Sequence, residues 1–113
     1  MKDWKEIILK ALSEKKGDHI LSYDTTGVTP FIDTMIIVSA ANTQQAAALA
    51  QNVKDRLFEQ EYDGYYRLEG NKDSRWLLVD LKDIVVHIFT GEERKLYNLE
   101  KLYADCPVEE YED

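Results

Sequence analysis

A chain of 113 residues is long enough for one core-forming domain and too short for two. With 44% hydrophobic and 32% charged side chains it reads as globular and not as a disordered chain, and no apolar run reaches the ~18 residues that span a bilayer. Fourteen Lys and Arg against 22 Asp and Glu leave a net charge of −8, which disfavours direct binding of nucleic acid, since phosphate contacts need clustered basic groups.

The N-terminus, Met1-Lys2-Asp3-Trp4-Lys5-Glu6, is charged and lacks the apolar core of a signal peptide. One cysteine, Cys106, cannot form an internal disulfide, which fits a reducing cytoplasm. Placed beside Pro107 and acidic neighbours, it reads as a plain tail thiol.

From Asp3 to Glu14 the pattern is an amphipathic helix. Trp4, Ile7, Ile8, Ala11 and Leu12 fall on one stripe, Asp3 and Glu6 suit its start, and Gly17 its stop. Its role is packing. His19–Asp24 is a strand, Val28–Ile32 is ambiguous with Pro30 against a central strand, and Thr34–Ala40 is a second, fully apolar strand. Asn42 or Thr43 caps a long helix reaching about Glu61, with Ala46, Leu49, Ala50, Val53 and Leu57 buried. Strand, helix and following strand read as a βαβ unit. Tyr65–Leu68 is a short strand at an edge.

The turn Glu69–Ser74, with Gly and Asn for positive φ, leads into two strands, Trp76–Asp80 and Ile84–Phe89. The linker Leu81-Lys82-Asp83 forces an antiparallel hairpin. Both runs are almost continuously apolar, which predicts a central position covered on both faces. His87 shares a face with Val85 and Phe89, and Trp76 with Leu78 and Asp80. Whether the two sets coincide depends on the hairpin register, which a one-residue slip would reverse. Gly91 opens a closing helix in which Leu96, Leu99 and Tyr103 form a buried face and Arg94, Tyr97 and Glu100 an exposed, usable one. Residues 105–113 lack periodicity and are densely acidic, which predicts a mobile tail after a domain spanning 1–104.

This pattern is an α/β single domain: a mixed β-sheet of about five strands flanked by α-helices. Asp80, Asp83 and His87 could suggest a metal or acid–base site, but three ligands at metal spacing are not evident. Asp83 reads as a turn residue, Asp80 as an acceptor for backbone donors and His87 as a hydrogen-bonded structural histidine. Nucleotidyl transfer needs a Gly-Ser turn feeding a helix and paired carboxylates on a strand. Here Ser39 is followed by Ala40-Ala41, and no Asp-x-Asp occurs. No phosphate-cradling loop or nucleophile elbow appears either. The chain reads as non-catalytic, without cofactor or metal. Trp76 is the leading interface candidate, or else a core plug. Tyr97, among charges, suits a contact surface.

Glu69-Gly70, Trp76-x-x-x-Asp80-x-x-Asp83, Val86-His87 and Arg94-x-x-Tyr97-x-x-Glu100, preceded by Asp24-x-x-Gly27 and Asp33-x-Met35-Ile36-Ile37, resemble the ribosomal silencing factor family, also called Iojap-related. The resemblance covers residues 3 to 104 and implies a nucleotidyltransferase-like core. It implies a translational repressor that binds the large ribosomal subunit through ribosomal protein fourteen and blocks small-subunit association when nutrients are scarce. The motif positions it carries over as partner-binding are Asp33, Trp76, Asp80, His87, Arg94, Tyr97 and Glu100. An acidic body suits docking on a basic ribosomal protein.

Three positions depart from the family pattern. Asn42-Thr43-Gln44-Gln45 replaces Ser-x-x-His, Tyr103 replaces a tryptophan, and Lys82 replaces a glycine of the central turn. The competing readings are a degenerate nucleotide- or metal-dependent enzyme using Asp80, Asp83 and His87, and a module whose apolar sheet edge pairs with itself, giving a homodimer when free.

Overall fold

A computed structural model describes residues 3–112. Met1, Lys2 and Asp113, which end the charged N-terminus and the acidic tail, lie outside the described residues. The order is α1 (Trp4–Glu14), β1 (Asp18–Asp24), β2 (Thr34–Ala40), α2 (Thr43–Glu59), β3 (Arg67–Glu69), β4 (Trp76–Asp80), β5 (Ile84–Thr90), α3 (Gly91–Tyr97), α4 (Leu99–Leu102) and β6 (Val108–Glu110). The strands form one six-stranded sheet in the order β3-β4-β5-β2-β1-β6. Only β2 and β5 run parallel; the other neighbours are antiparallel. The strand that returns parallel to β2 is therefore β5, not β3, because β3 and β4 intervene as an antiparallel excursion to the far edge.

The two long helices form where their apolar stripes require them and cover one face of the sheet. Asp3 caps α1 by accepting from the Glu6 N–H at 3.3 Å. Ile8, Leu9, Ala11 and Leu12 of α1 pack with Ala46, Leu49, Ala50, Val53 and Leu57 of α2. Beneath them lie Ile36, Val38, Leu77, Val79, Val86 and Ile88, all essentially inaccessible. Asn52 stitches the helices together: its amide donates to the Ala11 carbonyl at 2.7 Å and to Glu14 Oε1 at 3.0 Å. Gly17 lies so close to the sheet that an added Cβ would meet Val38 Cγ2 at 2.7 Å.

The opposite, outer face is only half covered. Tyr23, Met35, Ile37, Phe89 and Cys106 form a second cluster, against which Leu21, Trp76, Leu99 and Tyr103 pack. Trp76, Leu78 and His87 stay half-exposed. The expectation of a hairpin covered on both faces thus holds for the helix side and fails for part of the other. The reason is economy of chain: after β5 only two short helices remain to cover that face.

Two further expectations change at the C-terminal end. The closing helix is not continuous, since Asn98 adopts φ 45°, ψ 52° and splits it into α3 and α4. Helical spacing does not carry across a left-handed residue. Leu96, expected inside, is 73% exposed, and Arg94, expected outside, is 9% exposed. Within the stretch read as a mobile acidic tail, β6 pairs with the edge of β1, with Val108 opposite Tyr23 and Glu110 opposite Leu21. Cys106 is buried, so it is part of the outer cluster and not a loose thiol. The three side chains of β6 are all exposed, so it is held through its backbone, and side-chain alternation leaves no trace of it.

Candidate functional site

The register of the β4–β5 hairpin pairs Trp76 with Phe89, Leu78 with His87 and Asp80 with Val85. This puts Trp76, His87 and Phe89 on the same face, the outer one. Tyr97 at the end of α3 joins them. The Trp76 ring centroid lies 4.7 Å from Tyr97, 5.0 Å from Phe89 and 5.8 Å from His87, and Phe89 lies 6.2 Å from Tyr97. Such offset and tilted contacts are favourable beyond the area they bury. Phe89 forms the buried floor, while Tyr97 is about half exposed and Trp76 and His87 partly so.

The indole N–H of Trp76 donates to Nδ1 of His87 at 3.1 Å. Nδ1 must then carry a lone pair, so the imidazole is the neutral Nε2–H form. Burial pushes the His87 pKa down to about 4 because the charged form loses hydration among apolar neighbours. At neutral pH this histidine is uncharged, and its bond to the indole fixes its ring beside Trp76 and Phe89.

The remaining motif residues separate into two places. Asp80 stands at the turn end of the hairpin, where its Oδ1 accepts from the Lys82 N–H at 2.8 Å. Lys82 has φ 77°, which explains why glycine suits this position. Its ammonium lies 4.6 Å from the centre of the Tyr65 ring. Asp33 comes to the same end, since its N–H donates to the Asp83 carbonyl at 2.8 Å. Asp33 and Asp83 are exposed and Asp80 half-exposed, giving that end of the sheet an acidic rim. No group of three or more His, Cys, Asp or Glu side chains could hold a metal among the described residues.

Arg94 and Glu100 lie elsewhere, as a partly buried pair. Arg94 Nε donates to Glu100 Oε1 at 2.6 Å, and Nη1 donates to the His19 carbonyl and to Ser39 Oγ, both at 2.8 Å. The pair spans the helix break, six residues apart, beyond the three- or four-residue spacing of pairs on one helix. Reading the sequence alone missed Phe89, Leu96 and Leu102. Parity with His87 pointed to Phe89. Leu96 and Leu102 are 73% and 75% exposed, and helical spacing read through residue 98 places Leu96 inside.

A groove of about 1200 Å³ lies at the C-terminal ends of the parallel strands, lined by Ser39, Asn42, Gln45, Thr90, Gly91 and Arg94 among others. This is where α/β folds commonly hold ligands. The amide end of α2 here is closed by the chain itself. Asn42 Oδ1 accepts from the Gln45 N–H at 2.8 Å, and Gln45 Oε1 accepts from the Ala41 N–H at 2.6 Å. The Gln45 amide donates to the Lys15 and Lys16 carbonyls. Asn42 and Gln45, the departures from Ser-x-x-His, thus cap the helix and dock it on the end of α1.

These features define a small mixed-sheet α/β domain with one helix-covered face and one open aromatic face rimmed by carboxylates. A crystal structure of a Chromobacterium violaceum protein has the same fold, with a TM-score of 0.83 at 32% identity, covering 91% of this chain and 88% of that one. The family model described as "Ribosomal silencing factor during starvation" matches residues 1–113, and the chain belongs to that family. The chain is similar to the ribosomal silencing factor of Halalkalibacterium halodurans, 36% identical over 107 residues, covering 95% of this chain and 91% of that protein. It is also similar to that of Bacillus subtilis, 37% identical over 103 residues, covering 91% and 86%. Translational silencing and association with the ribosome follow from that membership.

Proposed function

We propose that this protein lowers translation by seating its outer sheet face on ribosomal protein fourteen of the large subunit and thereby occupying the place where the small subunit would land. The observation that carries the reading is the aromatic platform of Trp76, His87, Phe89 and Tyr97. It stands on the one sheet face that the chain leaves partly uncovered. Large, pre-packed aromatics at a desolvated centre supply most of the energy of typical protein interfaces. The carboxylates of Asp33, Asp80 and Asp83 at the rim favour a basic partner and speed its encounter.

Exclusion of this kind needs affinity and concentration but no bond-making. The neutral, locked His87 and the self-capped end of α2 support a protein that is not an enzyme. Its site is the cytoplasm, where subunits assemble, and the family's association with starvation supports action under nutrient limitation. Both exposed sheet edges carry charge, Arg67 and Glu69 on β3 and Glu109 and Glu110 on β6, which opposes edge-to-edge pairing of copies. The test is a light-scattering assay of subunit joining. Saturating protein is expected to abolish the rise in scattering that follows mixing of purified subunits. Undiminished joining at saturation overturns the reading.

A further inference from the structure

Resting on that docking reading, we infer that Arg94 is a positioning residue for the docking face. It fixes the bend between α3 and α4 that sets Tyr97 against Trp76. The bend depends on Asn98 in the left-handed region, with its N–H donating to the Arg94 carbonyl at 2.9 Å. Asparagine tolerates this conformation without enforcing it. What closes the segment is the Arg94–Glu100 contact at 2.6 Å, which ties the first turn after the bend to the helix before it.

The same guanidinium reaches the His19 carbonyl on β1 and Ser39 Oγ at the end of β2. One side chain thus connects α3, α4, β1 and β2. A lysine could not make this set of bonds, because the planar fork delivers donors in several fixed directions at once. Burying such a charge is a poor way to gain stability, since apolar packing of the same volume often does as well. What it does enforce is a single geometry, and the groups held in that geometry are the exposed ones. Leu96 and Tyr97 lie between the paired residues in the chain, and Leu102 two positions after Glu100. Of these, Tyr97 lies against Trp76 and Phe89 and so belongs to the proposed docking surface.

The experiment uses the full chain in a Trp4→Phe background, so that Trp76 is the sole tryptophan. Trp4 packs on the helix-covered side, away from the face under test. Dissociation from immobilised large subunits is measured alongside Trp76 emission and far-ultraviolet circular dichroism. Arg94→Met is expected to dissociate about tenfold faster and Glu100→Gln about threefold faster. In both, Trp76 emission should move to longer wavelength as Tyr97 leaves its ring, with helix content kept. Arg94→Lys should not restore the wild-type off-rate.

Wild-type off-rates and emission in folded Arg94→Met and Glu100→Gln, alongside loss of binding in Trp76→Ala, overturn the inference alone. If Arg94→Met does not fold, Glu100→Gln decides, and a wild-type off-rate there overturns the inference. Failure of the unsubstituted protein to bind subunits overturns the docking reading itself.

Discussion

Trp76 and His87 sit at diagonal positions on neighbouring antiparallel strands, and the indole N–H of one is bonded to Nδ1 of the other at 3.1 Å. Rings at such diagonal positions are within reach of each other across a ladder. The bond satisfies the indole donor, fixes the imidazole tautomer and leaves both rings partly facing solvent. Two residues that separately look like a core plug and a titratable candidate become one rigid plate.

The plate makes stability depend on pH. His87 is held at about 4 in the folded state against about 6.5 for a free histidine, so the unfolded chain takes up the proton first. Stability from this residue is fully present above pH 6.5 and is lost as pH falls toward 4. Between pH 7.5 and 5.0 the loss should be about 2 kcal/mol. Urea unfolding at the two pH values checks it: His87→Gln should lose about 2 kcal/mol less than wild type over the same interval. An identical pH dependence in both proteins would show that His87 is not held neutral.

Trp76→Ala and Tyr97→Glu should each weaken binding to large subunits by about thirtyfold or more, the scale of an interface hot spot. Both side chains are partly exposed, so the helices and the opposite core should survive, as circular dichroism would report. Sedimentation of the variants with purified large subunits measures the loss. Wild-type co-sedimentation of both would remove the platform from the interface.

The turn before β4 allows little change. Gly70 has φ 107°, and a Cβ there would meet Leu77 Cδ2 at 2.5 Å. Leu77 is buried under the helices, so it cannot swing away freely. Gly70→Ala should cost about 2–3 kcal/mol through backbone strain and overpacking together, read as a lower urea midpoint with unchanged slope. A shift smaller than about 0.5 kcal/mol would show that the turn relaxes easily.

Asn52 offers a test of the helix layer. Its amide bonds the Ala11 carbonyl and Glu14, and its own burial leaves little water to replace it. Asn52→Ala should destabilise the protein by about 1–3 kcal/mol, the penalty for stranding a buried acceptor. Glu14→Gln, whose Arg56 partner is 43% exposed, should cost clearly less than Asn52→Ala, since solvent screens an exposed pair. Thermal melts of the two variants order the effects, and equal losses would contradict the burial argument.

Much of this was legible in the chain because it is local. The stripe at Ile8, Ala11 and Leu12, the alanine-lined stripe of α2 and the apolar strand 34–40 each arise from periodicity within one element. Family membership was legible in the spacing of Trp76, Asp80, His87, Arg94, Tyr97 and Glu100, as were the hairpin and the turn at Gly70. The positive φ of Lys82 shows why a glycine suits that turn, where the sequence alone could only register the departure.

What tertiary structure decided were the relations between elements. Hairpin register depends on pairing across strands, so only the folded sheet could put Trp76 and His87 on one face. The partner of a charged side chain depends on what lies beside it in space. That is why Arg94 reaches β1 and β2 and is buried, although its helix pattern pointed outward. The pairing of β6 with β1 is settled by backbone hydrogen bonds, to which side-chain chemistry contributes almost no pattern. Sequence determined which segments are apolar and therefore must be hidden; the geometry of closing them around one sheet determined which aromatic groups were left facing out.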